Sequence, residues 1–112
     1  MLPGLNDEKC LYVYPAREMA RRLDKFRKIS ISDRKARLFA RVLASSSDLV
    51  AWDSQGRIRV KDDLLAHARI TDQVKLVGAW DRFELWAPSL WQENAGTLDA
   101  ATLDEAVRYV DF

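Results

Sequence analysis

One cysteine, one histidine, three prolines and four glycines are spread over 112 residues, and each scarcity removes a class of protein. The lone Cys10 cannot form an internal disulfide, which agrees with a reducing cytoplasm. His67 has no second ligand at metal spacing, so no zinc site is expected. The glycines form no phosphate-cradling loop and no G-x-S-x-G elbow. The one adjacent carboxylate pair, Asp62-Asp63, would point apart on a helix. The chain is therefore expected not to be an enzyme, and no cofactor or small-molecule substrate is expected. No apolar run approaches the roughly 18 residues of a membrane span. Residues 1–6 lack the basic-then-apolar order of a secretory signal, so a cytoplasmic protein without a membrane partner is expected.

What is present is an ordinary globular composition, 48% hydrophobic with a net charge of only +1. That charge is unevenly placed. Residues 1–46 hold eleven Lys/Arg against five Asp/Glu, a balance of +6, and residues 47–112 hold seven against twelve, a balance of −5. A basic half suits a polyanion, and opposite halves allow electrostatic self-association. Solvated helix faces give the same pattern.

Periodicity assigns the elements. Cys10 to Tyr14 is aromatic and β-branched, a strand. Pro15 suits a helix start, and Met19, Leu23 and Phe26 give an apolar face to a helix from about Ala16 to Lys28. Ser32 is the expected N-cap of a second helix to about Ala44. Strands are expected over Asp48–Trp52 and Arg57–Val60, joined by a turn at Asp53-Ser54-Gln55-Gly56. A short helix follows over Asp62–Ala68. A second hairpin, Val74–Trp80 with Phe83–Trp86, should turn at Asp81-Arg82. Pro88 opens a helix to about Asn94, Gly96 breaks it, and Thr97 or Asp99 caps a last helix to about Tyr109.

An internal repeat runs through this order. Leu11-Tyr12-Val13-Tyr14-Pro15 before a helix echoes Phe83-Glu84-Leu85-Trp86-Ala87-Pro88 before a helix. Upstream, Leu2-Pro3-Gly4-Leu5 echoes Leu76-Val77-Gly78-Ala79, which sets Met1 near Lys75. The first copy has no counterpart of Ala51 to Val74 in this sequence.

Three motifs resemble one family. Asp53-Ser54-Gln55-Gly56-Arg57 is similar to the D-x-x-G-R opening of a SpoVT/AbrB-type repeat in MraZ transcriptional regulators. Lys75 to Trp86 resembles that family's "vvlvG…drfElW" stretch, and Cys10 to Pro15 its "cLxlYP". The resemblance covers about Leu2 to Glu93. It implies an α+β fold in which interleaved hairpins form a small barrel flanked by helices, with an incomplete first repeat. The expected divisions are 1–46, the remnant of the first repeat plus the inter-repeat helices, 47–94, the second repeat, and 95–112, a helical tail. It also implies a homo-oligomer, ring-like, that binds double-stranded promoter DNA. The implied role is a sequence-specific repressor at repeated elements ahead of cell-division and cell-wall genes, located at the nucleoid. The sequence departs from the family at three places: Lys61 stands at its usual proline, Leu65 at an arginine and Arg69 at a glycine. A barrel short of one hairpin would expose strand edges that invite pairing. The alternative reading is thus an interaction module that pairs with a full-length relative and binds DNA poorly or not at all.

The resemblance puts Arg57 on the DNA-facing hairpin, where a guanidinium can fork onto guanine O6 and N7 or clamp a phosphate. Asp53 and Gly56 support the turn, the aspartate through bonds to backbone N–H groups or to Arg57 itself. Arg59 and Lys61, along the same strand, are candidate phosphate contacts. The basic helices Arg17–Arg41 read better as solvated or interface surface than as a DNA contact. The tryptophans Trp52, Trp80, Trp86 and Trp91 read as core or subunit packing rather than as a base-stacking platform.

Overall fold

A computed structural model describes residues 1–95 and 99–111. It shows an α+β fold, four antiparallel strands with five helices. Strands β1 (Leu2–Pro3) and β2 (Leu11–Val13) come from the first repeat, β3 (Lys75–Gly78) and β4 (Phe83–Trp86) from the second. They pair in the order β1-β2-β4-β3, so the two repeats meet at the centre.

The register there has a local two-fold relation. Tyr12 faces Glu84, with Leu11 opposite Leu85 and Val13 opposite Phe83. In the repeat these are equivalent positions exchanged end for end. The outer strands correct one expectation. Leu2 pairs with Tyr12 and Val77 with Glu84, so Leu2 matches Val77 and Met1 matches Leu76, one residue later than the sequence echo gives. The loop 4–10 between β1 and β2 is longer than the loop 79–82 between β3 and β4, and an echo anchored on Gly4 and Gly78 absorbs part of that difference.

Alternation along the central strands builds two cores. On one face Leu2, Cys10, Tyr12 and Trp86 join Ala87 and Leu90, with Met19, Leu43 and Trp91 packed against them. On the other, Leu11 and Leu85 join Met1, Leu64 and Ala68, covered by Val50, Ile58 and Val60.

Helix α1 (Ala16–Leu23) follows Pro15 and tightens into a 3-10 turn over Asp24–Lys28, where a single longer helix was expected. Helix α2 (Arg34–Ser46) is capped by Asp33, whose Oδ1 accepts from the Ala36 N–H at 3.0 Å. Ser32, the expected cap, instead exchanges a hydrogen bond with the Ser30 hydroxyl. Phe26 stacks on Phe39, with ring centroids 5.9 Å apart.

Helix α3 (Asp62–Ala68) explains two of the family departures. Lys61 precedes it with φ −61°, close to the angle that proline fixes. Arg69 ends it at φ +55°, the left-handed region where glycine is at ease. Its backbone still closes the helix, with Ile70 N–H donating to the Leu65 carbonyl at 3.0 Å.

The second hairpin turns one residue earlier than expected. Ala79 N–H donates to the Arg82 carbonyl at 2.8 Å, which puts Trp80 and Asp81 at the tip, Trp80 at φ +67°. Helix α4 (Pro88–Ala95) starts at the proline, and α5 (Ala100–Val110) is capped by Asp99, which accepts from the Thr102 N–H at 2.8 Å. Gly96 and Thr97 lie outside the described residues.

Candidate nucleic-acid interface

The turn at residues 53–57 is organised by one carboxylate. Asp53 Oδ1 accepts the backbone N–H groups of Gln55 and Arg57, both at 2.8 Å, and its Oδ2 accepts Arg57 Nε at 2.8 Å. The backbone closes around it, with Asp53 N–H donating to the Arg57 carbonyl at 2.8 Å and Gly56 N–H to the Asp53 carbonyl at 3.0 Å. Gly56 has φ +74°, and no atom lies within 4 Å of where its Cβ would be. Backbone conformation, not space, therefore calls for glycine there. These bonds, first the Arg57 backbone N–H and then its side chain, hold the Asp53 carboxyl below the usual aspartate range.

Beyond the turn the expected strand ladder does not form. Between residues 48 and 60 the cross-turn backbone bonds lie at the turn itself, and Asp48 N–H donates instead to the Met1 carbonyl at 2.8 Å. Side chains hold the segment in place. Ile58 and Val60 turn inward with Val50 onto the core of Leu64, Ala68 and Leu85. Arg57, Arg59 and Lys61 alternate with them and are exposed. Three cations thus form one outward row on a segment plugged into the sheet's hydrophobic face. Lys61 Nζ lies 3.5 Å from Asp48 Oδ1. Asp48 was not singled out from the sequence, although its place on the other limb of the turn, nearly as far from the tip as Lys61, is a readable cross-strand signal.

The Arg57 guanidinium is held by its Nε edge. Gripping that edge fixes the plane of the group, and the two terminal nitrogens are the pair that forks onto a guanine edge or a phosphate.

The remaining candidates separate. Trp86 and Trp91 pack edge to face, 5.8 Å apart, in the core. Trp52 and Trp80 are exposed, and Trp80 fully so, which corrects the core reading for those two. On the basic helices Arg21 and Arg22 pair with Glu18, and Arg27 with Asp24. Cys10 is fully buried. Among the described residues no group of three His, Cys, Asp or Glu is placed to hold a metal ion, and no helix is long and apolar enough to cross a membrane.

Residues 43–109 match a family model described as "MraZ protein, putative antitoxin-like". Among similar proteins is the Transcriptional regulator MraZ of Finegoldia magna, 30% identical over 107 residues, covering 94% of this chain and 75% of that protein. The protein of the same name from Clostridium acetobutylicum is 33% identical over 97 residues, with 86% and 68% covered. That of Kocuria rhizophila is 34% identical over 94 residues, with 84% and 66% covered.

Proposed function

The chain belongs to the MraZ family, and we propose that it is a DNA-binding transcriptional regulator that reads promoter DNA through the Asp53–Lys61 hairpin. The reading extends to a cytoplasmic, nucleoid-associated repressor at repeated elements ahead of cell-division and cell-wall genes, acting as a homo-oligomer. The observation that carries it is the outward row Arg57, Arg59 and Lys61 on a segment whose alternate residues, Ile58 and Val60, are partly buried against the core. Its relatives' shared name, transcriptional regulator, supports the same role.

Arg57 supplies base readout, with its plane set by Asp53. Arg59 and Lys61 supply phosphate attraction that carries no sequence information. One hairpin makes few contacts, so a single copy binds weakly. Several copies in one assembly on repeated sites raise affinity through effective concentration.

The test is binding of the purified chain to a duplex from its own promoter and to a scrambled duplex, at two salt concentrations. Base readout predicts a preference for the promoter that persists at the higher salt. Equal and salt-sensitive binding to both, or no binding, would favour the interaction module instead.

A further inference from the structure

Helix α5 buries no residue. Leu103, Val107 and Val110 recur along it at helical spacing and are all exposed. Around that stripe the helix and its caps are acidic, with Asp99, Asp104, Glu105 and Asp111 against the single Arg108.

A surface of opposite character lies elsewhere in the chain. Helix α1, the 3-10 turn and α2 frame an open apolar groove of about 290 Å³. Leu23, Phe26, Ile29 and Phe39 are among its walls, and Arg22 and Lys25 line it as well. From Arg17 to Arg41 this region carries ten Lys/Arg against Glu18, Asp24 and Asp33. Leu23, Ile29 and Phe39 remain more than a third exposed, so the groove is apolar surface without a cover.

The repeat relates these two features. Pro15 leads into α1 and then α2; Pro88 leads into α4 and then α5. Helix α5 therefore holds in the second repeat the place that α2 holds in the first. Helix α2 is seated by Leu43 against the core and by Phe39 on Phe26, whereas α5 has no such seat. No residue of α5 lines the groove in its own chain.

We propose that the acidic α5 of one copy docks, by its Leu103–Val107–Val110 face, into the basic α1–α2 groove of a second copy. The fit is an amphipathic helix in an apolar groove, with opposite charges on the two rims steering the approach. The proposal rests on the homo-oligomer reading above and names the contact that builds it.

The experiment is the mass of the full-length chain in solution by light scattering, for the wild type, Val107→Asp in the helix and Phe39→Asp in the groove, each alone and then mixed. Each variant alone should self-associate roughly a hundredfold more weakly than the wild type, as for a charge set into a buried anchor position. The equimolar mixture should form a heterodimer, because one chain keeps the groove and the other keeps the helix. If circular dichroism shows Phe39→Asp unfolded, Leu23→Asp, at an exposed wall position, replaces it. An oligomeric wild type that Val107→Asp leaves intact, or a mixture that stays monomeric, overturns the docking alone. A monomeric wild type, including one whose α5 folds back on its own groove, overturns the docking together with the homo-oligomer reading.

Discussion

Tyr12 and Glu84 stand directly opposite each other at the centre of the sheet, at equivalent positions of the two repeats, and Arg82 touches both. Arg82 lies over the Tyr12 ring, 4.2 Å from its centroid, and donates to Glu84 Oε2 at 2.7 and 2.9 Å. Trp86 Nε1 donates to the other oxygen of Glu84 at 3.1 Å, and Tyr12 donates its hydroxyl proton to Glu8. Glu84 is 6% exposed, and both of its oxygens are matched by donors, as a buried carboxyl requires. Glu84→Ala leaves the Trp86 indole N–H without its acceptor and Arg82 with only its hydrogen bond to Asp81 at 3.2 Å, and should cost about 2–4 kcal/mol in urea unfolding. Glu84→Gln, which keeps an acceptor, should cost less. Equal and small losses for both would show that the network contributes little.

Beside this pair lies a buried thiol. Burial first, then the Glu84 and Glu8 charges, push Cys10 up to about 12 from the usual 9.0, and burial with the Glu8 hydrogen bond does the same for Tyr12, from 10.0 to about 12. Both groups are neutral when protonated and are held protonated in the fold. Their stabilising effect is therefore complete below about pH 9 and is lost as pH rises from there towards 12. Denaturation midpoints should fall over that window, and Cys10→Ala should remove part of the fall. Native Cys10 should also resist a thiol reagent at pH 7 until the chain unfolds. Fast labelling of the folded chain would contradict its burial.

Arg69 occupies a left-handed position in which a side chain is strained. Arg69→Gly should raise stability by roughly 0.5–1 kcal/mol, because relief of strain exceeds the added freedom of the unfolded chain. Thermal melts of the two proteins would show it. Gly56→Ala should act in the opposite sense, costing about 1 kcal/mol at φ +74° and disordering the turn that holds Arg57.

These positions show how much the sequence reveals. The strand-proline-helix echo exposes the two-fold sheet because both copies keep an aromatic strand followed closely by a proline and a helix. The Asp53 turn is legible because an aspartate acceptor and a glycine at positive φ are local requirements. Cross-repeat facts are not local. The one-residue shift that matches Leu2 to Val77 in the repeat depends on loop length, and the stacking of Arg82 on Tyr12 joins residues from the two repeats. The exposure of Trp52 and Trp80 is equally hidden, because an apolar neighbourhood in sequence does not fix which face a side chain takes. The ladder expected along 48–60 fails for a related reason. Val50, Ile58 and Val60 there pack against the core without pairing the two limbs beyond the turn.

Asp53 should matter for DNA binding without touching DNA. Asp53→Ala frees the Arg57 side chain and two backbone N–H groups, so promoter affinity should fall while the fold and the assembly persist. Because its carboxyl is held below the usual range, the turn should stay intact above the ordinary aspartate pKa of 3.8 and loosen only on stronger acidification. Amide shifts of Gln55 and Arg57 followed through an acid titration would report this. Movement centred above pH 3.8 would contradict it.

The most direct measurement of the central claim is the ratio of promoter to scrambled-duplex affinity for the wild type and for Arg57→Ala, with the mass of each in solution. Base readout by Arg57 predicts that the ratio collapses towards one, a loss of roughly tenfold to a hundredfold, while the mass and the weak affinity for scrambled DNA hold. An unchanged ratio in Arg57→Ala would mean that this hairpin does not read DNA.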